Sequence, residues 1–451
     1  MKRDGQKLPI AIVGAGFSGT LLAIHILRHG GRVVLVERDH TSIARGLAYG
    51  TRRPEHLLNV RASNMSAFPD DPGHFLRWMG FAEREQVNRF VPRLAYGRYL
   101  RELLMNALGK SPDRIRIVES EAVDAVVGPG STRLDFADGR SLDVRAVVLA
   151  IGNCPPRLPP AFAGLPGSIV ISDPWQGAID AVARAGGDVL LLGTALTAVD
   201  VILGLVGAGH QGRITALSRR GLVPLAHDAE AATIAFVSRP EGRGSWLLRH
   251  VRKRSERVGW RAAVDELRTH TQSLWRLHDE QAQRRFLRHL RPFWDAHRHR
   301  IAPAVAEKLE ALQDSGRLRF AGGRILSAER SGPGLLLNWS PRGTGQTTTD
   351  HFDFAINCTG PEGDIHRIAN PLLTSLIAQG RVRPDRHGLG IDVDRLGRAV
   401  DSAGGKQESL FVVGPLTKGE AWEAVAVPDI RRQVWELARF LTNSHVISTD
   451  I

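Results

Sequence analysis

The fold is decided by the stretch LPIAIVGAGFSG at residues 8–19. Its first six residues form a short apolar run, which is typical of a strand buried in a parallel sheet. A complete G-x-G-x-x-G motif begins at Gly14, and the helix-like residues 20–29 follow it. A second apolar run, residues 33–36, ends in Glu37. This order of strand, glycine turn, helix and strand predicts a βαβ unit that binds a dinucleotide.

Each part of this unit has a role in nucleotide binding. The glycines allow a tight turn and let the backbone approach a pyrophosphate, and the helix amino terminus attracts the phosphates. An acid about 20 residues further on accepts a hydrogen bond from a ribose hydroxyl. The candidate cofactor-binding residues of this unit are Gly14, Ala15, Gly16, Phe17, Ser18, Gly19, Glu37 and Arg38.

A second, degenerate fingerprint lies in the middle of the chain. The apolar run 188–192 leads into GTALTA at 193–198, where alanine replaces the second and third glycines. The next strand, 213–217, ends in SRR at 218–220, where an acid would select NAD. Cations there suit a 2′-phosphate, so we predict NADPH in preference to NADH; the alternative, that they are solvated strand-end charges, stays open. The candidate residues are Gly193, Thr194, Ala195, Thr197, Arg219 and Arg220.

Two further apolar strands end at a glycine, namely residues 146–152 at Gly152 and residues 354–360 at Gly360. In flavoproteins with two dinucleotides, such strands mark the crossings between a flavin domain and an inserted nicotinamide domain. We therefore predict an α/β fold with two dinucleotide-binding, Rossmann-like domains, the NADP domain being inserted in the FAD domain. The predicted boundaries are 1–160 and 330–451 for the FAD domain and 161–329 for the NAD(P) domain, with a basic helical insert at about 243–318.

The composition narrows the class of protein. A length of 451 residues with 43% hydrophobic residues suits two or three folded domains. The two cysteines, Cys154 and Cys358, build no Cys-x-x-Cys pair, so a dithiol redox site and a structural zinc cluster are disfavoured and no metal is expected. The apolar run 8–26 follows a basic start like a secretory leader, but glycines interrupt it and no small-residue cleavage site follows. We expect a cytoplasmic protein without a membrane span.

The positive charge is concentrated in one segment. Residues 243–300 hold 15 Lys and Arg against 6 Asp and Glu, a net of +9 within the +13 of the whole chain. Apolar residues recur there at helical spacing, and four tryptophans lie among them. Three interpretations remain open: a solvated helical face, a pocket for an anionic substrate, or a nucleic-acid surface. The basic residues alternate with core positions, which argues against nucleic acid.

The chain resembles bacterial FAD/NAD(P)-binding oxidoreductases related to class B flavin monooxygenases and amino-acid N-hydroxylases. The resemblance extends over nearly the whole length. Besides the two fingerprints it rests on GLAYGT at 46–51, HLLNV at 56–60, MSAFPDDPGHFLRW at 65–78, PRLAYGRYL at 92–100, NCTGP at 357–361, FVVGPLTKGEAWE at 411–423 and VPDIRRQ at 427–433.

The resemblance implies further site residues. The segments of Tyr49 and Asn59 would line the isoalloxazine, and an asparagine before a Met-Ser-x-Phe-Pro-Asp-x-Pro stretch helps to position NADP and flavin in these enzymes. Asn59 is the candidate catalytic residue, with Asn64 as the other choice and a structural loop asparagine as the alternative. Gly414 and Glu423 would contact the flavin from the carboxyl-terminal segment.

Two departures from the family pattern bear on activity. The signature F-x-G-x-x-x-H-x-x-x-(Y/W) survives only as Phe162 and Gly164, with Ser168 and Ser172 in place of the histidine and the aromatic residue. The usual Gly-Asp near the carboxyl end is Gly-Pro at 414–415, so flavin binding there would rely on backbone groups and on the amino terminus of the next helix.

These features together predict an FAD-dependent NADPH oxidoreductase in which hydride passes from NADPH to flavin N5. If oxygen then reacts, the expected outcome is N-hydroxylation of a small amine or amino acid, so the partner is a small-molecule substrate. The alternatives are a simple NADPH–flavin reductase or oxidase, and a basic flavoprotein that binds or modifies tRNA. The oligomeric state is left open.

Overall fold

The computed structural model describes residues 8–128, 130–228, 238–242 and 244–443. The chain divides into two compact units, and each is assembled from separate segments. The first unit consists of Met1–Arg52, Val60–Cys154 and Glu362–Ile451, and the second of Arg53–Asn59 and Pro155–Pro361.

The strands in chain order are β1 (Ile10–Val13), β2 (Val33–Glu37), β3 (Ile115–Glu119), β4 (Ala122–Val127), β5 (Thr132–Phe136), β6 (Ser141–Val144), β7 (Ala146–Leu149), β8 (Val170–Ile171), β9 (Val189–Leu192), β10 (Ile214–Ser218), β11 (Leu318–Ser331), β12 (Gly334–Pro341), β13 (Thr348–Phe352), β14 (Phe354–Asn357), β15 (Arg398–Val400) and β16 (Lys406–Val412).

The helices are α1 (Phe17–Arg28), α2 (Gly46–Tyr49), α3 (His74–Met79), α4 (Arg84–Val87), α5 (Arg93–Lys110), α6 (Ala178–Ala185), α7 (Leu196–Gly207), α8 (Gly244–Val258), α9 (Trp260–Arg268), α10 (Thr271–Leu277), α11 (Glu280–Arg285), α12 (Arg291–Arg298), α13 (Pro303–Asp314), α14 (Pro371–Ala378) and α15 (Val427–Leu441). A π-helical turn, Phe286–Leu290, joins α11 to α12.

The first unit is built on a six-stranded sheet with the order β15-β16-β7-β1-β2-β3. Strands β1 and β7 are buried at every residue and pair in parallel, as continuous apolar runs in a parallel sheet do. Helix α1 is buried from Phe17 to Leu27 and packs against β2, α5 and α15. A three-stranded sheet, β4-β5-β6, packs against α14 and completes the unit.

The second unit is built on a seven-stranded sheet with the order β13-β12-β11-β10-β9-β14-β8. Strands β9 and β10 are parallel, and α7 connects them after the second glycine turn. Strand β11 begins in parallel with β10 and ends antiparallel to β12, so it joins the parallel and antiparallel halves of the sheet.

The sequence-based domain boundaries differ from the observed ones at three places. At the first crossing, the second unit begins at Pro155 and not at 161. The second unit continues to Pro361 and not to 329, because β14 pairs in parallel with β9, with Phe354 opposite Val189, and so lies inside the second sheet between β9 and β8. The second unit also includes Arg53–Asn59, although no sequence pattern separates this segment from its flanking segments.

The basic insert forms helices α8 to α13 between β10 and β11, as its helical periodicity predicts. The predicted α/β class is confirmed: both units contain parallel sheets, and each has a strand, a glycine turn and a helix in the predicted order.

Candidate functional site

The first glycine turn connects β1 to α1 and leaves no room for a side chain at its first and third glycines. Gly14 has φ +102°, and a Cβ there would lie 2.4 Å from the Ala150 carbonyl oxygen. A Cβ on Gly19 would lie 1.9 Å from the Gly14 carbonyl oxygen, so this glycine allows α1 to start directly beside the strand. At Gly16 the nearest atom is the Gly46 Cα at 3.5 Å, which is an ordinary contact. Packing therefore requires glycine at positions 14 and 19 but not at position 16.

The amino terminus of α1 has the properties of an anion site. Its N-cap residue, Gly16, offers no side-chain cap, and the first turn carries no acidic residue. The first N–H groups of a helix lack partners within the helix and carry the positive end of its dipole. An unblocked terminus of this kind next to a glycine turn fits a pyrophosphate.

The carboxylate of Glu37, at the end of β2, faces the same turn. Its Oε2 accepts from the Ala15 amide at 2.8 Å, and its Oε1 accepts from the Asp39 amide at 3.2 Å. This position suits hydrogen bonds to ribose hydroxyls. Arg38 points elsewhere: it pairs with Glu121 at 3.0 Å and is largely exposed.

An aromatic cluster supports this turn. Tyr49 contacts Phe17 edge-on at 5.7 Å between ring centroids and Tyr96 at 4.8 Å. Tyr96 continues to Tyr99 at 5.5 Å, so the three tyrosines of the chain are neighbours. The Tyr99 hydroxyl lies 2.9 Å from Nδ1 of His74, and burial raises the pKa of Tyr99 to about 12. The tyrosines are therefore neutral packing groups at physiological pH.

The second glycine turn, between β9 and α7, repeats the geometry of the first. Gly193 has φ +132°, and a Cβ there would lie 2.4 Å from the Cys358 carbonyl oxygen. The N-cap residue of α7, Ala195, makes no side-chain capping hydrogen bond, and the first turn of α7 carries no acidic residue. The Thr194 hydroxyl is 2.9 Å from the Ser218 hydroxyl, so it fixes the turn to the end of β10. Thr197, in the first turn of α7, is partly exposed. This terminus also fits a pyrophosphate.

The two arginines after β10 differ in their surroundings. Arg219 is exposed. Arg220 is half-buried: its guanidinium lies 5.1 Å from the Phe293 ring centroid and donates to the Arg288 carbonyl at 3.3 Å. Arg219 is therefore the more accessible of the two arginines, while Arg220 contacts the insert through Phe293 and the Arg288 carbonyl.

Asn59 lies at the end of the Arg53–Asn59 segment in the second unit. Its carbonyl oxygen is 3.1 Å from Nε2 of His227. His56, which is 1% exposed, reaches the Asp200 carbonyl at 2.9 Å through Nε2 and packs edge-on against Trp175. Asn64, the other candidate, is exposed in the first unit. Nothing in the sequence marked His56 and His227 as anchors of this segment, since their partners lie more than 140 positions away.

The carboxyl-terminal candidates lie in the loop between β16 and α15. Gly414 has φ +80°, and its amide donates to Oε1 of Gln433 at 2.8 Å. Nε2 of Gln433 donates to the Thr417 hydroxyl at 2.9 Å, so one side chain of α15 holds both ends of the Gly-Pro turn. Glu423 is 3% exposed and has φ +76°. The sequence missed Gln433, although it lies in the VPDIRRQ segment.

The two glycines at the ends of the crossing strands have left-handed conformations, with φ +72° at Gly152 and +90° at Gly360. A Cβ at either position would have no atom within 4 Å, so backbone conformation and not crowding favours glycine there.

The cysteines beside them are buried and form no disulfide. Burial raises the pKa of Cys154 to about 11, and burial also raises the pKa of Cys358. Both thiols are therefore packed, protonated groups.

The remnant of the monooxygenase signature belongs to the core of the second unit. Phe162 is fully buried in the cluster that includes Leu190, Leu192 and Trp339. Of the residues that the structure describes, no helix is long and apolar enough to cross a membrane. In the same described part of the chain, no group of three or more His, Cys, Asp or Glu side chains could hold a metal ion.

A family model described as FAD-NAD(P)-binding matches residues 11–154. This match covers the first glycine turn, Glu37 and the crossing strand β7, so residues 11–154 form an FAD/NAD(P)-binding domain. No curated protein matches the chain.

Solved structures resemble the whole chain. An ornithine N-hydroxylase from Kutzneria sp. 744, described with reduced FAD, NADP+ and L-ornithine, is 17% identical with a TM-score of 0.65, over 97% of this chain and 99% of that chain. L-lysine 6-monooxygenase from Pseudomonas syringae is 19% identical with a TM-score of 0.65 over the same shares. Thioredoxin reductase from T. acidophilum is 10% identical with a TM-score of 0.53, again over 97% and 99%. These likenesses confirm the predicted two-domain flavoprotein fold.

Proposed function

Since the chain has the fold of FAD- and NADP-dependent oxidoreductases, and residues 11–154 form an FAD/NAD(P)-binding domain, we propose that it is an FAD-containing, NADPH-dependent oxidoreductase that N-hydroxylates a small amine or amino acid. One observation carries the proposal: each unit has its own uncapped helix terminus behind a tightly packed glycine turn. Two such termini suit two dinucleotides, and the two sites differ in charge in the way that FAD and NADPH require.

The residues of the first unit would hold FAD. The amino terminus of α1 would bind the pyrophosphate, and Glu37 would accept hydrogen bonds from the ribose hydroxyls. The loop between β16 and α15, which Gln433 holds, would shape the flavin end of the site. FAD supplies the redox chemistry, as an acceptor of hydride and a donor to oxygen. The protein supplies orientation and controls which molecules reach the reacting atoms.

The residues of the second unit would hold NADPH. The α7 terminus would bind its pyrophosphate, and exposed Arg219 would bind the 2′-phosphate. Asn59 is the proposed catalytic residue, and the hydrogen bond between its carbonyl and His227 supports a fixed backbone there. An NADPH-dependent reaction and two unpaired, buried cysteines suit a reducing cytoplasm.

The substrate class comes from the neighbours: structures similar to this one act on ornithine and lysine, according to their descriptions. A second candidate is a simple NADPH–flavin reductase or oxidase. The loss of the histidine and aromatic residues from the monooxygenase signature, where Ser168 and Ser172 stand, favours that alternative.

The test begins with anaerobic reduction of the purified, flavin-loaded protein. NADPH should bleach the flavin absorbance at least tenfold faster than NADH, and Arg219→Ala should remove most of this preference, because about 1–2 kcal/mol of phosphate–arginine attraction is lost. The control Arg220→Ala should change the preference less. Equal rates with both nucleotides in the unmodified protein would contradict the NADPH assignment.

The second part of the test separates hydroxylation from oxidase activity. With NADPH, isotopically labelled oxygen and candidate amines, a monooxygenase should place one labelled oxygen atom on the amine nitrogen for each NADPH consumed. Stoichiometric hydrogen peroxide with every amine, including ornithine and lysine, would leave the reductase or oxidase as the function.

A further inference from the structure

Helix α8 of the basic insert lies on the surface. None of its residues is buried, and its sequence, GSWLLRHVRKRSERV, contains one acid, Glu256. Its partly buried residues face α9: Arg254 makes a two-bond ion pair with Glu266 at 2.8 and 2.9 Å. The basic residues of this inner face are thus already used within the fold.

The outer face of α8 is different. Five exposed side chains follow each other at positions i, i+3, i+4, i+7 and i+11, which places them on one side of the helix. We name them the α8 stripe: Trp246, Arg249, His250, Lys253 and Arg257. At a rise of about 1.5 Å per residue the stripe is roughly 17 Å long.

The two rings of the stripe are stacked. The centroids of Trp246 and His250 are 5.1 Å apart with an angle of 14° between their planes, and Trp246 is 46% exposed. The Trp246 ring also packs against Gly242, where a Cβ would overlap it, so the ring is held in place.

The three cations of the stripe make no ion pair with any carboxylate in the described part of the chain. Other arginines of the insert do: Arg261 pairs with Asp228 at 3.2 Å, and Arg300 pairs with Asp265. A row of three cations that pair with no described carboxylate, beside a stacked aromatic pair and with Glu256 as the single acid of the helix, suits a polyanion that also has flat rings.

We propose that the α8 stripe binds single-stranded nucleic acid. Arg249, Lys253 and Arg257 neutralise successive phosphates, and the exposed imidazole of His250, which Trp246 supports from its other side, stacks on an unpaired base. A duplex keeps its bases stacked inside, so it satisfies the cations but not the rings. Helix α8 packs against α9 and its aliphatic residues are partly buried, which leaves no continuous exposed apolar face for insertion into a membrane. The regular alternation of basic and apolar residues, which argued against nucleic acid in the sequence, is the periodicity that places the cations together on the exposed side.

This site is separate from the proposed redox chemistry. None of its residues belongs to either glycine turn, so substitutions in the stripe leave flavin content and NADPH-dependent flavin bleaching unchanged. These two measurements also serve as evidence of correct folding for each variant.

The experiment measures fluorescence anisotropy of labelled 20-nucleotide single strands of RNA and DNA with the full-length, flavin-loaded protein between 50 and 200 mM salt. The triple substitution Arg249→Gln, Lys253→Gln, Arg257→Gln should lower affinity at least tenfold at 50 mM salt. It should also reduce the slope of log affinity against log salt by about 2, since each single-strand phosphate contact contributes about 0.7. The double substitution Trp246→Ala, His250→Ala should lower affinity roughly five- to hundredfold without changing the slope.

A matched control removes the same charge elsewhere. Lys308, Arg324 and Arg342 are exposed cations of the same unit outside α8, and their triple substitution by glutamine should leave affinity within twofold. The proposal is overturned if the unmodified protein does not bind the single strands, if both triple variants lose affinity equally, or if a duplex of the same length binds as well. Binding to phosphatidylserine vesicles or polyglutamate without binding to the single strands overturns it as well.

Discussion

At the scale of single residues, the glycines of the first turn divide into two kinds. Gly14 and Gly19 are required because a Cβ would collide with backbone atoms at 2.4 and 1.9 Å. Gly16 has room for a methyl group, yet it stands at the start of α1, where a pyrophosphate would approach. One motif therefore combines a requirement of the fold with a requirement of the ligand.

This division predicts different results for two alanine variants. Gly19→Ala should lower the free energy of unfolding by at least ~2 kcal/mol, because backbone atoms must move to admit the Cβ. Gly16→Ala should change it by less than ~1 kcal/mol but reduce FAD affinity at least tenfold, since the methyl group occupies the space of the phosphates. Denaturant unfolding and flavin titration check both. Equal flavin affinity in Gly16→Ala and the unmodified protein would show that the pyrophosphate does not bind there.

At the scale of elements, α15 holds the turn at 414–415, where the enzymes that the sequence resembles carry an acid. This chain has Gly-Pro at 414–415 in place of Gly-Asp. The Gln433 side chain accepts a hydrogen bond from the Gly414 amide and donates one to the Thr417 hydroxyl. A helix side chain thus organises the loop. The sequence showed the missing acid, but the helix residue that contacts the turn became visible only when α15 was placed beside it.

We expect Gln433→Leu to lower the free energy of unfolding by about 1–3 kcal/mol, because the buried Gly414 amide loses its acceptor. Flavin retention on gel filtration should fall with it if the turn shapes the flavin site. Glu436→Gln is the control on the same helix: it breaks an exposed pair with Arg432 and should cost less than ~1 kcal/mol. Similar losses in both variants would argue that α15 is sensitive to any substitution.

At the scale of the whole molecule, two units with one glycine turn each predict two separable binding sites. We expect Gly193→Ala to impair only the binding site of the second unit. The new Cβ would lie 2.4 Å from the Cys358 carbonyl oxygen, and the φ of +132° at this position is strained for alanine. The variant should purify with bound flavin, react normally with dithionite and be bleached by NADPH at least tenfold more slowly. Loss of flavin together with NADPH reactivity would contradict the assignment of one dinucleotide to each unit.

The sequence by itself determined both nucleotide turns, the strands and helices around them and the helical character of the insert. These features depend on residues within about 40 positions of one another, and their patterns are local. Asn59 and the two arginines were also visible, as candidates, for the same reason.

Only the tertiary structure decided where the units end, which of Arg219 and Arg220 is the more exposed, what anchors Arg53–Asn59, and that the cations of α8 share one exposed face. Each depends on contacts between distant segments, such as β14 with β9 or His227 with Asn59. Such pairings have no local signal, since the chain must close long loops before these groups meet. The positive charge of the insert was evident from its composition. Whether its cations lie together on one surface depends on which helix faces the packing leaves exposed.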